Sequence, residues 1–252
     1  MPARPARQRA RTYLNAAAAI AATIACIYSV ACGDATPLDT LDPLGPCAPS
    51  AATANASLPI FGPPFTGERP VGNVFDHDLP LAFDDANTYQ LSTCAQSLRS
   101  PILGHNGYDW LMPIGTPLLS VAEGRVVMAG REPSLNCPPL GHSAAGLVIV
   151  IRTLATPEDS IDAIYGHVDR VDVAVGDTVH IGDTIGASGN TGCSTGPHLH
   201  FSAARFLGPR GEVMIDPYGW NSSTHFDPWY ADIRGAQSAW LWKDGAAPRL
   251  FR

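Results

Sequence analysis

Four side chains in two short segments carry the chemistry that this sequence can do. Residues 197–201 read Pro-His-Leu-His-Phe, and in an extended strand residues two apart share a face. His198 and His200 would therefore stand side by side, with Leu199 and Phe201 on the opposite, apolar face. Two imidazoles so spaced cannot comfortably share one ion, so one can ligate a metal while its neighbour serves the chemistry beside it. Upstream, His105-Asn106-Gly107-Tyr108-Asp109 offers a further imidazole and a carboxylate. Together these would complete a set of two neutral imidazoles and one carboxylate, with a fourth position left for water. That donor set belongs to catalytic rather than structural zinc, and it points to hydrolysis. A lone His-x-His on a strand carries little weight, so the surrounding residues decide.

The run Gly186-Ala187-Ser188-Gly189-Asn190-Thr191-Gly192-Cys193-Ser194-Thr195-Gly196-Pro197-His198-Leu199-His200-Phe201 resembles the signature of the lysostaphin-type (LytM-like) zinc metallopeptidases. So does His105-Asn106-Gly107-Tyr108-Asp109 followed by Pro113-Ile114-Gly115-Thr116-Pro117. Between them, Tyr165-Gly166-His167-Val168 ahead of Val175-Gly176-Asp177-Thr178-Val179 is similar to that family's middle block. The resemblance runs from about Leu103 to Arg205. It implies the duplicated hybrid motif fold and one zinc per chain, with His105, Asp109 and His200 as ligands. It also makes His167 and His198 the pair that handles protons and transition-state charge. None of these five positions is substituted, whereas the family includes non-catalytic members that act as regulators or scaffolds. An enzyme is therefore favoured over an envelope scaffold. The substrate implied is a peptide bond of peptidoglycan, in the stem peptide or a cross-bridge. No His-Glu-x-x-His segment exists, so the two histidines must do the work that a glutamate base does elsewhere.

The elements that must position these residues read as short strands between turns. Leu118–Ala122, Arg125–Ala129 and Leu147–Ile151 are apolar runs closed by turn signals. Gly176-Asp177-Thr178-Val179 recurs as Gly182-Asp183-Thr184-Ile185, which suggests two turn-and-strand units packed against each other. Biotinyl and lipoyl carrier domains show the same echo, but they need a lysine at a hairpin tip. The only lysine here is Lys243, far from the repeat. With 24 Gly, 23 Pro and no long amphipathic run, we expect a mainly β fold: an antiparallel, sandwich-like catalytic core with long loops and few helices.

A chain of 252 residues with 45% hydrophobic content can bury one substantial core. The first 31 residues read as an export signal, with an Arg-rich start, an Ala/Ile-rich stretch from Tyr13 to Ala31, and Ser29-Val30-Ala31-Cys32 at its end. Cys32 is the lipid-anchor candidate, favoured over plain secretion. An uncleaved anchor is the third option, because 19 residues approach the lower limit for spanning a bilayer. Either route places the catalytic part outside the cytoplasm, in the cell envelope or secreted. The formal charge is −7; without Arg4, Arg7, Arg9 and Arg11, 12 basic side chains face 23 acidic ones, a balance of −11. So acidic a surface excludes nucleic acid as partner, and membrane contact is expected only through the anchor at Cys32. Residues 32–60 read as a flexible tether, 61–102 as an extension packed on the core, 103–215 as the metallopeptidase domain and 216–252 as an aromatic-rich extension. Of six cysteines, Cys47, Cys94, Cys137 and Cys193 remain after the signal and Cys32, an even set suited to an oxidising compartment. We expect a Cys137–Cys193 disulfide, leaving Cys47 for Cys94. Free thiols and a reactive Cys193 are the competing readings.

Gly192-Cys193-Ser194-Thr195-Gly196 also matches the G-x-S-x-G nucleophile elbow, with Asp216 and His225 following in the expected order. Such an elbow needs a strand before Ser194 and a helix after it, whereas a Gly/Ser/Asn run precedes and Pro197-His198-Leu199-His200 follows. Serine hydrolysis is thus a distant third. His142, His180 and His225 read as surface or loop residues, and Phe75-Asp76-His77-Asp78 as a capping or surface cluster rather than a second cation site. Trp220, Trp229, Trp240 and Trp242 suit a tail packed back on the sheet better than a cleft lining.

Overall fold

The computed structural model describes residues 59–77, 89–90, 98–99, 105–156, 159–206, 212–219 and 238–251. The export signal, nearly all of the tether, the Cys47 and Cys94 pair, Asp78, His225, Trp220 and Trp229 lie outside the described residues.

The antiparallel, mainly β architecture expected from the sequence is present, and the one helical element described is a 3-10 turn at Pro138–Leu140. An eight-stranded sheet runs in the order Val71–Asn73, Tyr108–Leu111, His198–Phe206, Asp159–Val168, Leu147–Thr156, Gly124–Arg131 and Thr178–Val179, with Glu212–Ile215 pairing the His198–Phe206 strand off this path. A three-stranded sheet joins Arg170–Val171, Thr184–Ala187 and Pro117–Leu119. The Gly-Asp-Thr echo is the same turn used twice. Gly176 and Gly182 both take positive φ, and the carboxylates of Asp177 and Asp183 each accept a backbone N–H three residues earlier, from Ala174 and His180. The strands that follow the two turns enter different sheets: Thr178–Val179 pairs Gly124–Arg125, whereas Thr184–Ala187 pairs Pro117–Leu119 and Arg170–Val171.

The alternation of the His198–Phe206 strand decides which face is buried. Leu199 and Phe201 are fully buried, and Phe201 packs its ring against Phe61, Trp110, Tyr165 and Trp242. The described part of the aromatic tail therefore packs on the core, with Trp242 fully buried and Trp240 half-buried. The described part of the surface cluster expected at 75–78, residues 75–77, is instead interior. Asp76 and His77 are buried, and His77 Nε2 stands 3.0 Å from Asp216 Oδ2. The cause is tertiary: Tyr108 Oη and the Tyr218 backbone N–H also donate to the Asp216 carboxylate, giving it enough donors to remain inside. His142 and His180 are exposed, as expected.

Candidate active site

The polar face of the His198–Phe206 strand lies beside Tyr108–Leu111, with His200 opposite Asp109 and His198 opposite Leu111. This register brings Asp109 and both histidines onto one face. His105 reaches the same place from the loop before Tyr108. That approach requires Gly107, because a Cβ there would stand 2.6 Å from Ser202 Oγ and 3.0 Å from the His200 ring. His105 Nε2, Asp109 Oδ1 and His200 Nδ1 converge, with separations of 3.1 Å, 3.2 Å and 2.8 Å.

The far side of each group is already engaged. His105 Nδ1–H donates to the Val74 carbonyl at 2.8 Å, and His200 Nε2 lies 2.8 Å from Ser202 Oγ. Asn73 Nδ2 donates to Asp109 Oδ2 at 2.6 Å. With His200 protonated on Nε2, the three converging atoms would all present lone pairs to one another, an arrangement that repels unless a cation or a proton lies among them. A tetrahedral ion with bonds of about 2.0–2.1 Å spaces its ligand atoms about 3.3 Å apart, close to the separations found. The donor set therefore fits zinc.

The same physics shows in the proton affinities. Burial pulls the His105 pKa down, but the charge and hydrogen bond of Asp109 and the Val74 carbonyl outweigh it, and the net shift is upward. For Asp109, burial pushes up while His105 and His200 pull harder, holding the carboxyl well below its usual range. The His200 pKa is lowered, chiefly by burial.

His167 and His198 stand together beside this cluster, their ring centroids 4.6 Å apart, and His167 lies 5.8 Å from His200. A bulge places His167: the register of Asp159–Val168 against Leu147–Thr156 shifts between Tyr165 and Val168, and His167 takes a φ of 58°. Left-handed backbone is costly for a side chain other than glycine, and such strain is common where a residue is re-aimed. The glycine-rich run packs on this corner, since a Cβ at Gly189 would meet the His167 carbonyl oxygen at 2.6 Å. Its carbonyls then orient both rings. His167 Nδ1–H donates to Thr191 O at 2.8 Å, and His198 Nδ1–H donates to Gly196 O at 2.7 Å. Both neutral rings thus offer a bare Nε2. His198 Nε2 lies 3.5 Å from Asp109 Oδ1. The His167 pKa is lowered to about 4, first by burial, then by positive charge at His200 and His198.

Cys137 and Cys193 form a disulfide. It ties the Leu135–Cys137/His142–Ala144 hairpin to the loop whose Thr191 carbonyl holds His167. Ser194 does not form a hydrolase elbow: its Oγ donates to Asn190 Oδ1 and Gly196 O, a strand follows it, and Asp216 is committed to His77 and Tyr108.

All five site residues singled out in the sequence lie in this one cluster. Its supporting partners Asn73, Val74, Thr191, Gly196 and Ser202 were not anticipated. Ser202 had a signal, because it follows His200 by two on the same strand face. The others carry none short of the fold.

Residues 103–217 match the family model described as Peptidase family M23. An uncharacterized metalloprotease of Buchnera aphidicola is 41% identical over 97 residues, 38% of this chain and 22% of the relative. Peptidoglycan DD-endopeptidase ShyA of Vibrio cholerae is 39% identical over 97 residues, 38% of this chain and 19% of the relative. Among solved structures, the catalytic domain of lysostaphin from Staphylococcus simulans is 32% identical, over 49% of this chain and 75% of that one, with a TM-score of 0.33. The chain spans about a fifth of the length of these two curated relatives.

Proposed function

Because the chain belongs to peptidase family M23, we propose that it is a zinc-dependent endopeptidase that hydrolyses peptide bonds of bacterial peptidoglycan, in the stem peptide or a cross-bridge. The observation that carries the proposal is the convergence of His105 Nε2, Asp109 Oδ1 and His200 Nδ1, with two further imidazoles beside it. The peptidoglycan substrate is supported by the described activity of the ShyA relative.

His105, Asp109 and His200 would hold one zinc. Zinc held there supplies Lewis acidity, polarising a carbonyl and bringing the pKa of a coordinated water to about 7. The protein's own groups manage the protons. His167, with Nδ1–H committed to the Thr191 carbonyl, presents an acceptor at Nε2 for the proton of the attacking water. His198, whose Nε2 lies 3.5 Å from Asp109 Oδ1, would stabilise the carbonyl oxygen only with a proton on Nε2, and the proton taken by His167 would pass to the leaving amine. An export signal at residues 1–31 would put this activity in the cell envelope, with Cys32 as the lipid-anchor candidate.

Digestion of purified muropeptides by the zinc-loaded protein, read by mass spectrometry, tests the proposal. New amine and carboxylate termini at one peptide bond, lost on chelation and restored by zinc, are expected. Muropeptides left intact by a protein that has taken up zinc would refute it.

A further inference from the structure

Two of the three proposed ligands are held in place by a segment that lies upstream of residues 103–217. Asn73 Nδ2 donates to Asp109 Oδ2, and the next residue, Val74, accepts from His105 Nδ1–H. The strand Val71–Asn73 and the residue that follows it thus govern both. The strand's own position is fixed from several directions. It pairs antiparallel with Tyr108–Leu111, with Asn73 opposite Asp109, and the Pro70 and Phe251 carbonyls accept from Leu111 N–H and Val71 N–H. Asp76 N–H donates to the His105 carbonyl, and the buried His77–Asp216 pair closes the far end.

We infer that Asn73 is a positioning residue of the metal centre, one that makes Asp109 a single-oxygen ligand. Asp109 is almost wholly buried, and its two oxygens have different surroundings: Oδ1 faces the two imidazoles, whereas Oδ2 is taken by the Asn73 amide. An oxygen so occupied would not be free to turn toward a cation held at Oδ1. The donor is also neutral. An amide fixes the carboxylate without adding a positive charge that would weaken its attraction for a cation, as Lys or Arg at this distance would. Val74 does the same for His105, since a carbonyl accepting from Nδ1–H commits the lone pair to Nε2. The inference rests on His105, Asp109 and His200 being the zinc ligands.

The test compares zinc affinity, by chelator competition, for the full chain and the variants Asn73→Ala and Asn73→Leu. The leucine is close to isosteric, so it removes the amide while keeping side-chain volume. Each variant should bind zinc about 10- to 100-fold more weakly, the usual effect of losing an outer partner. The metal-free melting point should fall by no more than about 10 °C, the cost of one hydrogen bond to a carboxylate. Cobalt-loaded protein should show a changed visible spectrum in both variants, a signature that loss of packing alone would not produce. Wild-type zinc affinity and an unchanged cobalt spectrum in both variants overturn the inference. Failure of the wild type to bind zinc, or full retention by His200→Ala, overturns the ligand assignment itself and the inference with it.

Discussion

Replacing Cys137 and Cys193 together by serine should cost stability far more than activity, and the structure sets both sides of that expectation. The bridge spans a sequence separation of 56 residues. Closing a loop of that length removes enough unfolded-chain entropy to stabilise the fold by about 4 kcal/mol. For a protein of this size each kcal/mol moves the melting temperature by roughly 2–4 °C, so the double variant should melt about 8–16 °C lower. The local effect is smaller. The loop that the bridge anchors is also held at Thr191, whose carbonyl accepts from His167, whose hydroxyl donates to Val168 O, and whose Oγ1 accepts from Leu147 N–H. Three such bonds at about 1 kcal/mol each keep the His167 partner in place after the bridge is gone. Activity well below the melting transition should therefore fall by less than about tenfold, against 100-fold or more for losing the histidine itself. Thermal and denaturant unfolding of the oxidised wild type and the double variant measure the first quantity, and muropeptide turnover at low temperature the second. The variant is preferable to a reductant, which would also open any Cys47–Cys94 bridge. An unchanged melting temperature would refute the entropic argument. Activity lost as fully as in His167→Ala would refute the claim that hydrogen bonds suffice to hold Thr191.

His167→Ala and His198→Ala should each retain zinc while losing about 100- to 10,000-fold in turnover; wild-type rate in either, measured on a muropeptide, would reduce that residue to a packing role. His200→Ala should lose zinc, as read by metal analysis of the purified protein. In metal-free protein the depressed pKa of His167 makes stability depend on pH. Between about pH 4 and its ordinary value of 6.5, the unfolded chain holds a proton that the folded ring refuses. Stability from this group therefore rises with pH across that window, is complete above it and absent below it, and amounts to at most about 3 kcal/mol. His167→Gln should flatten this slope in denaturant titrations at pH 4–7, and an unaltered slope would contradict the shift.

The sequence announces the groups that touch the chemistry because short-range geometry fixes them. Strand alternation alone puts His198 with His200 and against Leu199 and Phe201, and the structure buries the latter two completely. Likewise the Gly-Asp pairs at 176–177 and 182–183 encode a turn within a few residues, so their echo is readable without the fold. What remained hidden depends on residues far apart in the chain. Asn73 meets Asp109 across 36 residues, and His77 meets Asp216 across 139. The run Asp76-His77-Asp78 reads as surface because all three residues are polar, and only the pairing of His77 with Asp216, itself held by Tyr108 and Tyr218, makes burial of that imidazole tolerable. The bulge at Gly166–His167 is hidden for a related reason. Its left-handed histidine is contrary to local preference, so packing of the glycine-rich run must impose it.

The residues that match the family model pack against both flanking segments of this chain. The apolar face behind the site is centred on Phe201, whose ring packs against Phe61 from one flank and Trp242 from the other. Phe61 and Trp242 are themselves in edge contact and fully buried, and backbone bonds from Ile60 and Phe61 to Leu241, and from Lys243 to Phe61, stitch the flanks together. Removing one buried aromatic costs about 3–5 kcal/mol, while a domain's entire margin is about 5–15 kcal/mol. Loss of both flanks would therefore consume most of that margin before the Asn73 and Val74 contacts to Asp109 and His105 are counted. Stability and metal-site geometry thus draw on the same two segments. A chain cut to residues 103–217 should fail at folding first, so the weak zinc binding expected of it would say nothing about the ligands, which is why single substitutions in the full chain are the informative perturbation.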